Sequence, residues 1–528
     1  MATLPCLVLA LVPLAVPSRN RPASQDPSVP AIQVDSEAPL LPCLLELERN
    51  PLCAWVVEAS AAAPPNPIQE LRVSLAGTTA LDDIAALEVL VSTSSAAWTH
   101  RAPNAAFGEA VRFGEVQAAA TEVTFRGTQI LQPGVTRFWL SARLRADADL
   151  DHRIAAHPRL LRPRAGPAVK LTKTFPPRPI GRALRNAGDD GSLAYRIPGL
   201  VTTLSGTLIA VYDIRHRGWG DLPGDIDVGM SRSTDGGQSW QAMTTIIDMG
   251  SDPKARMDGV GDPAVLVDRS NGRIWVVATW SHGDRAWHGS GPGLTPDETG
   301  QLIMVTSDDD GETWSKPRNI TKQVKNPDWC YLLQGPGRGI SMNDGTLVFA
   351  AQVQDAERTP YSTLLISRDH GESWSVPQGP RPNTTEAQVA EVGGELMLNM
   401  RDNRGGSRAV YSTPDLGQSW RAHPSSRSAL IEPVCMASLL RVDRDEKPPL
   451  LLFSNPAVSQ GPRRRMTLKA SADLGFTWPA AWQLLLDEGQ SAGYSCLTRI
   501  DASTLGILFE GSRAHMTFLR VPLAAELR

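Results

Sequence analysis

One octapeptide pattern, Ser/Thr-x-Asp-x-Gly-x-Ser/Thr-Trp, occurs five times beyond residue 230 and restricts the possible folds more than any other feature of the chain. Its copies run from Ser233 to Trp240, Ser307 to Trp314, Ser367 to Trp374, Thr413 to Trp420 and Ser471 to Trp478. The closing tryptophans lie 74, 60, 46 and 58 residues apart. The physics of the pattern is that of a hairpin tip. Aspartate accepts hydrogen bonds from backbone N–H groups of its own turn, glycine supplies a positive φ, and tryptophan packs back under the turn. Apolar strands flank the copies, for example at Leu302–Thr306 and Leu364–Ile366. One hairpin unit in every ~50–70 residues, each unable to bury its own face, predicts radially repeated sheets. The stretch from 181 to 528 accommodates six of them. One aspartate per turn is too few for the oxygen ligands that calcium takes, so the repeat specifies architecture rather than chemistry. Five of the chain's 14 tryptophans are accounted for in this way.

The rest of the chain reads as an annex to this repeat. Its 528 residues exceed a single-domain length. Residues 6–16 form an apolar run too short to span a bilayer, followed by a Pro- and Ser-rich stretch. Residues 1–30 therefore resemble an export signal and leader, although no Lys or Arg precedes the apolar run. Residues 35–165 contain short alternating segments, such as Leu71, Val73 and Leu75, or Phe138 to Leu140. Gly77, Pro133 and Gly134 punctuate them, which predicts a β-sandwich. A Pro- and Arg-bearing linker over 166–180 separates it from the repeat region over 181–528. The six cysteines include no CxxC pair. Cys43 and Cys53 suit either a disulfide after export or buried thiols. With 52 Lys plus Arg against 56 Asp plus Glu, the chain lacks the basic excess that a nucleic-acid partner requires.

In a radial fold the reactive groups should be scattered along the sequence, as polar residues at the edges of apolar strands. Arg196 (in Tyr-Arg-Ile-Pro), Arg215, Asp221 in a Gly-rich loop, Asp262, Glu386, Arg401, Arg463 of a triple arginine, Tyr494 and Glu510 all fit that description. Taken singly, each suits an ordinary surface or structural role, and an inward arginine is costly unless paired. As an ensemble of arginines, carboxylates and one tyrosine, they point to a site.

Taken with the five boxes, these residues resemble the bacterial exo-α-sialidases (neuraminidases) of the Asp-box, six-bladed β-propeller type. The resemblance covers about residues 180–520. The segment from Arg72 to Leu144 is similar to the β-sandwich found ahead of some of these enzymes. The resemblance implies an all-β fold and a glycoside hydrolase that releases terminal sialic acid with retention. Arg196, Arg401 and Arg463 resemble the family's three carboxylate-binding arginines, and Glu510 the carboxylate that orients the first of them. Tyr494 resembles the nucleophile, Glu386 its activating carboxylate and Asp221 the acid/base; Arg215 and Asp262 resemble further substrate-binding positions. Asp225 and Asp227 compete with Asp221, and Arg464 and Arg465 with Arg463.

The chemistry of the substrate agrees with these roles. Sialic acid carries a carboxylate on its anomeric carbon, which planar guanidinium donors hold in place. A carboxylate nucleophile would approach that charge against repulsion, whereas a phenol is neutral until a neighbouring base deprotonates it. The expected partners are sialylated glycoproteins, glycolipids or oligosaccharides. No cofactor or metal is implied, and the nine histidines show no ligand spacing. The apolar run at 6–16 makes the expected location secreted or periplasmic, and no other stretch is apolar enough to span a membrane. A trans-sialidase, or an intramolecular one, would use the same residues and differ in what attacks the intermediate. A non-catalytic glycan-binding propeller would keep the boxes but not the full set of site residues.

Overall fold

The computed structural model describes residues 32–61, 66–250, 257–444 and 447–527; the expected export signal lies outside them. The fold is nearly all β. The amino-terminal part consists of a five-stranded sheet over a four-stranded one, a β-sandwich between about residues 32 and 170. The predicted alternation is present: Leu71, Val73, Leu87, Val89, Phe138 and Leu140 point inward, around a fully buried Trp55. Cys43 and Cys53 are buried free thiols, and burial pushes them up to about 11 and about 12 respectively.

Among the described residues, six sheets of four or more strands follow in a β-propeller-type arrangement. In each of the first five the chain runs antiparallel through the first three main strands, as in Ala194–Thr202, Leu208–Arg215 and Ile226–Ser233 of the first. A box follows the third main strand every time. Thus Ser233 ends Ile226–Ser233, Ser307 ends Gln301–Ser307, and Ser471 ends Arg464–Ser471. The leading strands of successive sheets pack on one another, and Ser495–Arg499 of the sixth sheet returns to Ala194–Thr202 of the first.

The sixth sheet is assembled differently. Ser495–Arg499, Thr504–Phe509 and Met516–Pro522 supply three strands, and Arg178–Arg185 pairs antiparallel with the last of them. Cys43–Leu44 then pairs parallel with Arg178–Arg185. The outer strand therefore comes from the opposite end of the chain, with no turn joining it to the third strand. Six sheets accordingly carry only five boxes.

All five boxes share one hydrogen-bond pattern. In the third, Ser367 Oγ donates to Asp369 Oδ1 at 2.8 Å, and Gly371 N donates to Ser367 Oγ at 2.8 Å. Ser373 N and Oγ donate to the Asp369 carboxylate at 2.9 and 2.5 Å. The glycine has the expected positive φ, 88° at Gly371, but so does the residue before it: Gly236, Asp310, His370, Leu416 and Leu474. Each box also leans on the sheet before it. A Cβ on Gly371 would lie 2.2 Å from the Trp275 ring of the second sheet, and one on Gly311 would lie 2.6 Å from Ile209 of the first. Trp374 and Trp478 are buried and return their indole N–H to the carbonyl of the box glycine at 3.2 Å. The other three box tryptophans are half-buried.

Candidate active site

At the end of the sheets opposite the boxes, three leading strands carry one extra residue each. Pairing slips between Arg196 and Gly199, between Gly261 and Ala264, and between Thr384 and Ala387. Such bulges re-aim a side chain out of the ladder. Here they present Arg196, Asp262 and Glu386, with positive φ at Ile197 (64°) and Asp262 (57°). Arg401 sits near the end of strand Glu395–Asp402, and Glu510 directly after Thr504–Phe509. Arg463 directly precedes Arg464–Ser471, and Tyr494 directly precedes Ser495–Arg499.

Tyr494 is at the centre. Its hydroxyl donates to Glu386 Oε1, and Arg401 Nη1 lies 3.2 Å from the same hydroxyl and 2.5 Å from Glu386 Oε2. The guanidinium carbons of Arg196 and Arg463 lie 5.1 and 5.6 Å from the centroid of the phenol ring. Burial, and then the charge of Glu386, hold the phenol well above the usual tyrosine range, against the pull of Arg401 and Arg463. At rest it is therefore a neutral donor.

Glu510 fixes this arrangement from beneath. It accepts from Arg196 Nε at 2.8 Å, from Ile197 N at 3.0 Å and from Tyr494 N at 2.9 Å, so one buried carboxylate orients both arginine and tyrosine. Burial opposes its charge, but Arg196 and these donors outweigh it and keep the carboxyl below the ordinary range. Arg463 is held by the carbonyls of Ala492 (2.8 Å) and Val434 (3.0 Å). Its neighbours Arg464 and Arg465 are exposed, so of the three only Arg463 faces the tyrosine.

Asp221 lies at the rim, its side chain 70% exposed, with Oδ1 2.9 Å from Arg215 Nη2 and 3.3 Å from Arg196 Nη1. Burial acts to raise its carboxyl, but the two arginines prevail and hold it below the usual range. Asp225 pairs with Arg217 and Asp227 with His216, so both competing carboxylates are engaged elsewhere. Arg215 is 1% exposed, and its donors go to Asp213, Asp221 and the carbonyls of Trp219 and Gly220. Its contacts are thus with the loop bearing Asp221.

Asp213 was not singled out from sequence, and it proves central. Buried beneath the site, it binds Arg215 through Oδ2 and accepts the Asp262 N–H through Oδ1 at 2.8 Å. Burial pushes it up to about 6, against Arg215. Burial, together with the charges of Asp213 and Asp221, raises Asp262 well above its normal range. The signal was the strand Leu208–Arg215, wholly buried yet carrying Asp213 and Arg215 two residues apart on one face.

Asp221, Asp262, Glu386, Arg401 and Tyr494 line a cavity of about 310 Å³, walled on its apolar side by Trp287, Tyr331 and Leu333. These wall residues were not foreseen either, because they come from a loop and a strand without distinctive motifs. Among the described residues, no three His, Cys, Asp or Glu side chains are grouped to hold a metal ion. No helix among them is long and apolar enough to cross a membrane.

Comparisons with known proteins agree with this geometry. Residues 206–507 match the BNR repeat-like domain, and residues 31–163 match the N-terminal domain of BNR-repeat neuraminidase. A sialidase of Bacteroides fragilis is 46% identical over 470 residues, covering 86% of each chain. The solved structure of the Hadza microbial sialidase Hz136 superposes with a TM-score of 0.86 at 45% identity, over 92% of this chain and 99% of that one. Trypanosoma rangeli sialidase shares the fold, with a TM-score of 0.54 at 21% identity over 67% of this chain and 56% of its own. The chain belongs to the sialidase family.

Proposed function

We infer that the protein is an exo-α-sialidase that hydrolyses terminal sialic acid from glycoconjugates with retention of configuration. The observation that carries this reading is a buried tyrosine hydrogen-bonded to a glutamate and enclosed by Arg196, Arg401 and Arg463. The three guanidinium groups bind the sugar's carboxylate and place the anomeric carbon above Tyr494. Glu386 takes the phenolic proton as the oxygen attacks, and a tyrosyl-glycoside forms. Sialidases with a tyrosine nucleophile are a recognised exception to the two-carboxylate scheme of retaining glycosidases. Asp221 delivers a proton to the leaving oxygen and then takes one from the incoming water. At rest it is an anion paired with Arg196 and Arg215; a substrate carboxylate that engages Arg196 weakens that pairing and adds a negative charge, so its proton affinity rises as the site fills. Arg215 and Asp213 hold the Asp221 loop, and Asp262 faces the sugar with a carboxyl that burial favours in its protonated, donating form.

We read the six sheets as six blades of one propeller, preceded by a sandwich over 35–165, and the apolar run at 6–16 as an export signal to the periplasm or exterior, where sialylated glycoconjugates are met. NMR of a sialyl-lactose digest tests the reaction. The first product should be the α-anomer of free sialic acid. A β-anomer first would exclude a tyrosyl intermediate, and sialyl transfer to added lactose in place of release would make the enzyme a trans-sialidase.

A further inference from the structure

The sandwich reaches the rim of the site. Its loop at 98–104 docks along the outer strand Gln483–Gln490 of the fifth sheet: Gln490 N donates to the Trp98 carbonyl at 2.9 Å, and His100 N donates to the Gln490 carbonyl at 3.0 Å. Gln490 lies four residues before Tyr494. Arg513, from the sixth sheet, lies 4.8 Å over the Trp98 ring and donates to Asn104 Oδ1 at 3.2 Å, closing the junction from the other side.

This docking sets His100 and Arg101 against Trp219, which stands two residues before Asp221. The His100 and His515 rings meet the indole edge-on at 5.7 and 4.6 Å, and the Arg101 guanidinium is 6.0 Å from its centroid. Arg101 is exposed and forms no ion pair among the described residues. On one side of this group is a cavity of about 420 Å³ that also includes Arg196 and Arg463. On the other is an interdomain groove of about 660 Å³ that includes Asn104, Asn186 and Arg513. Trp219, His100 and Arg101 line both.

We propose that Arg101 and His100 of the sandwich, with Trp219, form the subsite for the sugar next to sialic acid, and that its occupant is a neutral pyranose. The inference rests on the exo-sialidase reading and deepens it. A leaving glycan protonated by Asp221 departs over the segment that carries Trp219, so its first ring meets the indole. A half-buried indole offers an apolar surface to the C–H face of a pyranose, and an unpaired guanidinium offers five donors to hydroxyl groups. The groove beyond has room for further residues of the glycan. The sandwich is thus part of the binding site for the leaving group.

The test compares sialyl-lactose with an aryl sialoside in the full-length enzyme and in Arg101→Ala, while calorimetry follows the binding of free lactose. The ratio of kcat/KM for sialyl-lactose to that for the aryl sialoside should fall on the order of 10-fold, with most of the change in KM, and lactose binding should weaken in parallel. His100→Ala should move the ratio in the same direction by a smaller factor. An unchanged ratio with unchanged lactose binding would overturn the proposal. So would a loss confined to an α2,8-linked disialoside, which would assign the subsite to a second carboxylate-bearing sugar. A wild-type enzyme that cleaves neither substrate would sink the exo-sialidase reading instead, and the calorimetry would still report on the subsite.

Discussion

The two ends of the same sheets are built on opposite principles. At the box end one short solution is used five times: a hydroxyl, an aspartate, two residues of positive φ and a tryptophan, all within eight positions. At the other end no short motif recurs. Arg196, Glu386, Tyr494 and Glu510 come from three sheets, and bulges in two leading strands re-aim Arg196 and Glu386. The box end is local and redundant; the site end is non-local and singular. Damage at the first should cost stability and spare chemistry, and damage at the second should do the reverse.

The largest effect is expected at Tyr494. Tyr494→Phe keeps the ring beside Arg196 and Arg463 and removes the oxygen. Turnover of a sialoside with an activated leaving group should fall by at least ~10³-fold, with an unchanged melting curve. Near wild-type turnover would remove Tyr494 from the mechanism. Next comes Asp221→Asn, measured against leaving-group quality. Sialyl-lactose hydrolysis should lose ~10²–10⁴-fold, whereas an aryl sialoside that needs no proton should lose far less in the first step. Equal losses on both would show that another group donates the proton.

The smallest effect is at a box. The Ser373 hydroxyl and then the Ser373 N–H hold the Asp369 carboxyl down at about 2, against an unperturbed value of 3.8. Because the folded value is depressed, its contribution is present above the unfolded value and is lost as the pH falls through about 2. Asp369→Asn should lower the melting temperature by about 1–3 °C at neutral pH, leave kcat/KM unchanged, and converge with wild type in melts taken from pH 4 down to pH 2. A constant gap over that range would separate the box from carboxylate chemistry, and lost activity would break the contrast between the two ends.

The same contrast explains what the sequence made legible. The boxes were readable because every partner lies within four residues, as between Asp369 and Ser373. What escaped was the second left-handed residue, carried by His370, Leu416 or Leu474, types that do not announce a positive φ. At the site, strand-edge arginines and carboxylates could be nominated, but choosing Arg463 over Arg464 and Arg465 required knowing which side chain turns inward. Asp213 was visible as a carboxylate in an apolar strand, yet its link to Asp262 depends on the neighbouring sheet. The approach of His100 to Gln490 spans 390 positions, and no spacing rule reaches that far. Five boxes for six sheets became intelligible only once Arg178–Arg185, at the edge of the expected linker, proved to be an outer strand.

That borrowed strand sets an order of assembly. During synthesis the sandwich and Arg178–Arg185 emerge well before Met516–Pro522, the strand they await. Tyr494 and Glu510 belong to the same sheet, so both are made only after all five boxes. A nascent chain that stops short of Met516 would hold all five boxes, yet its sixth sheet would lack the strand that links Arg178–Arg185 to Thr504–Phe509. Catalytic competence is therefore withheld until the sixth sheet has been synthesised.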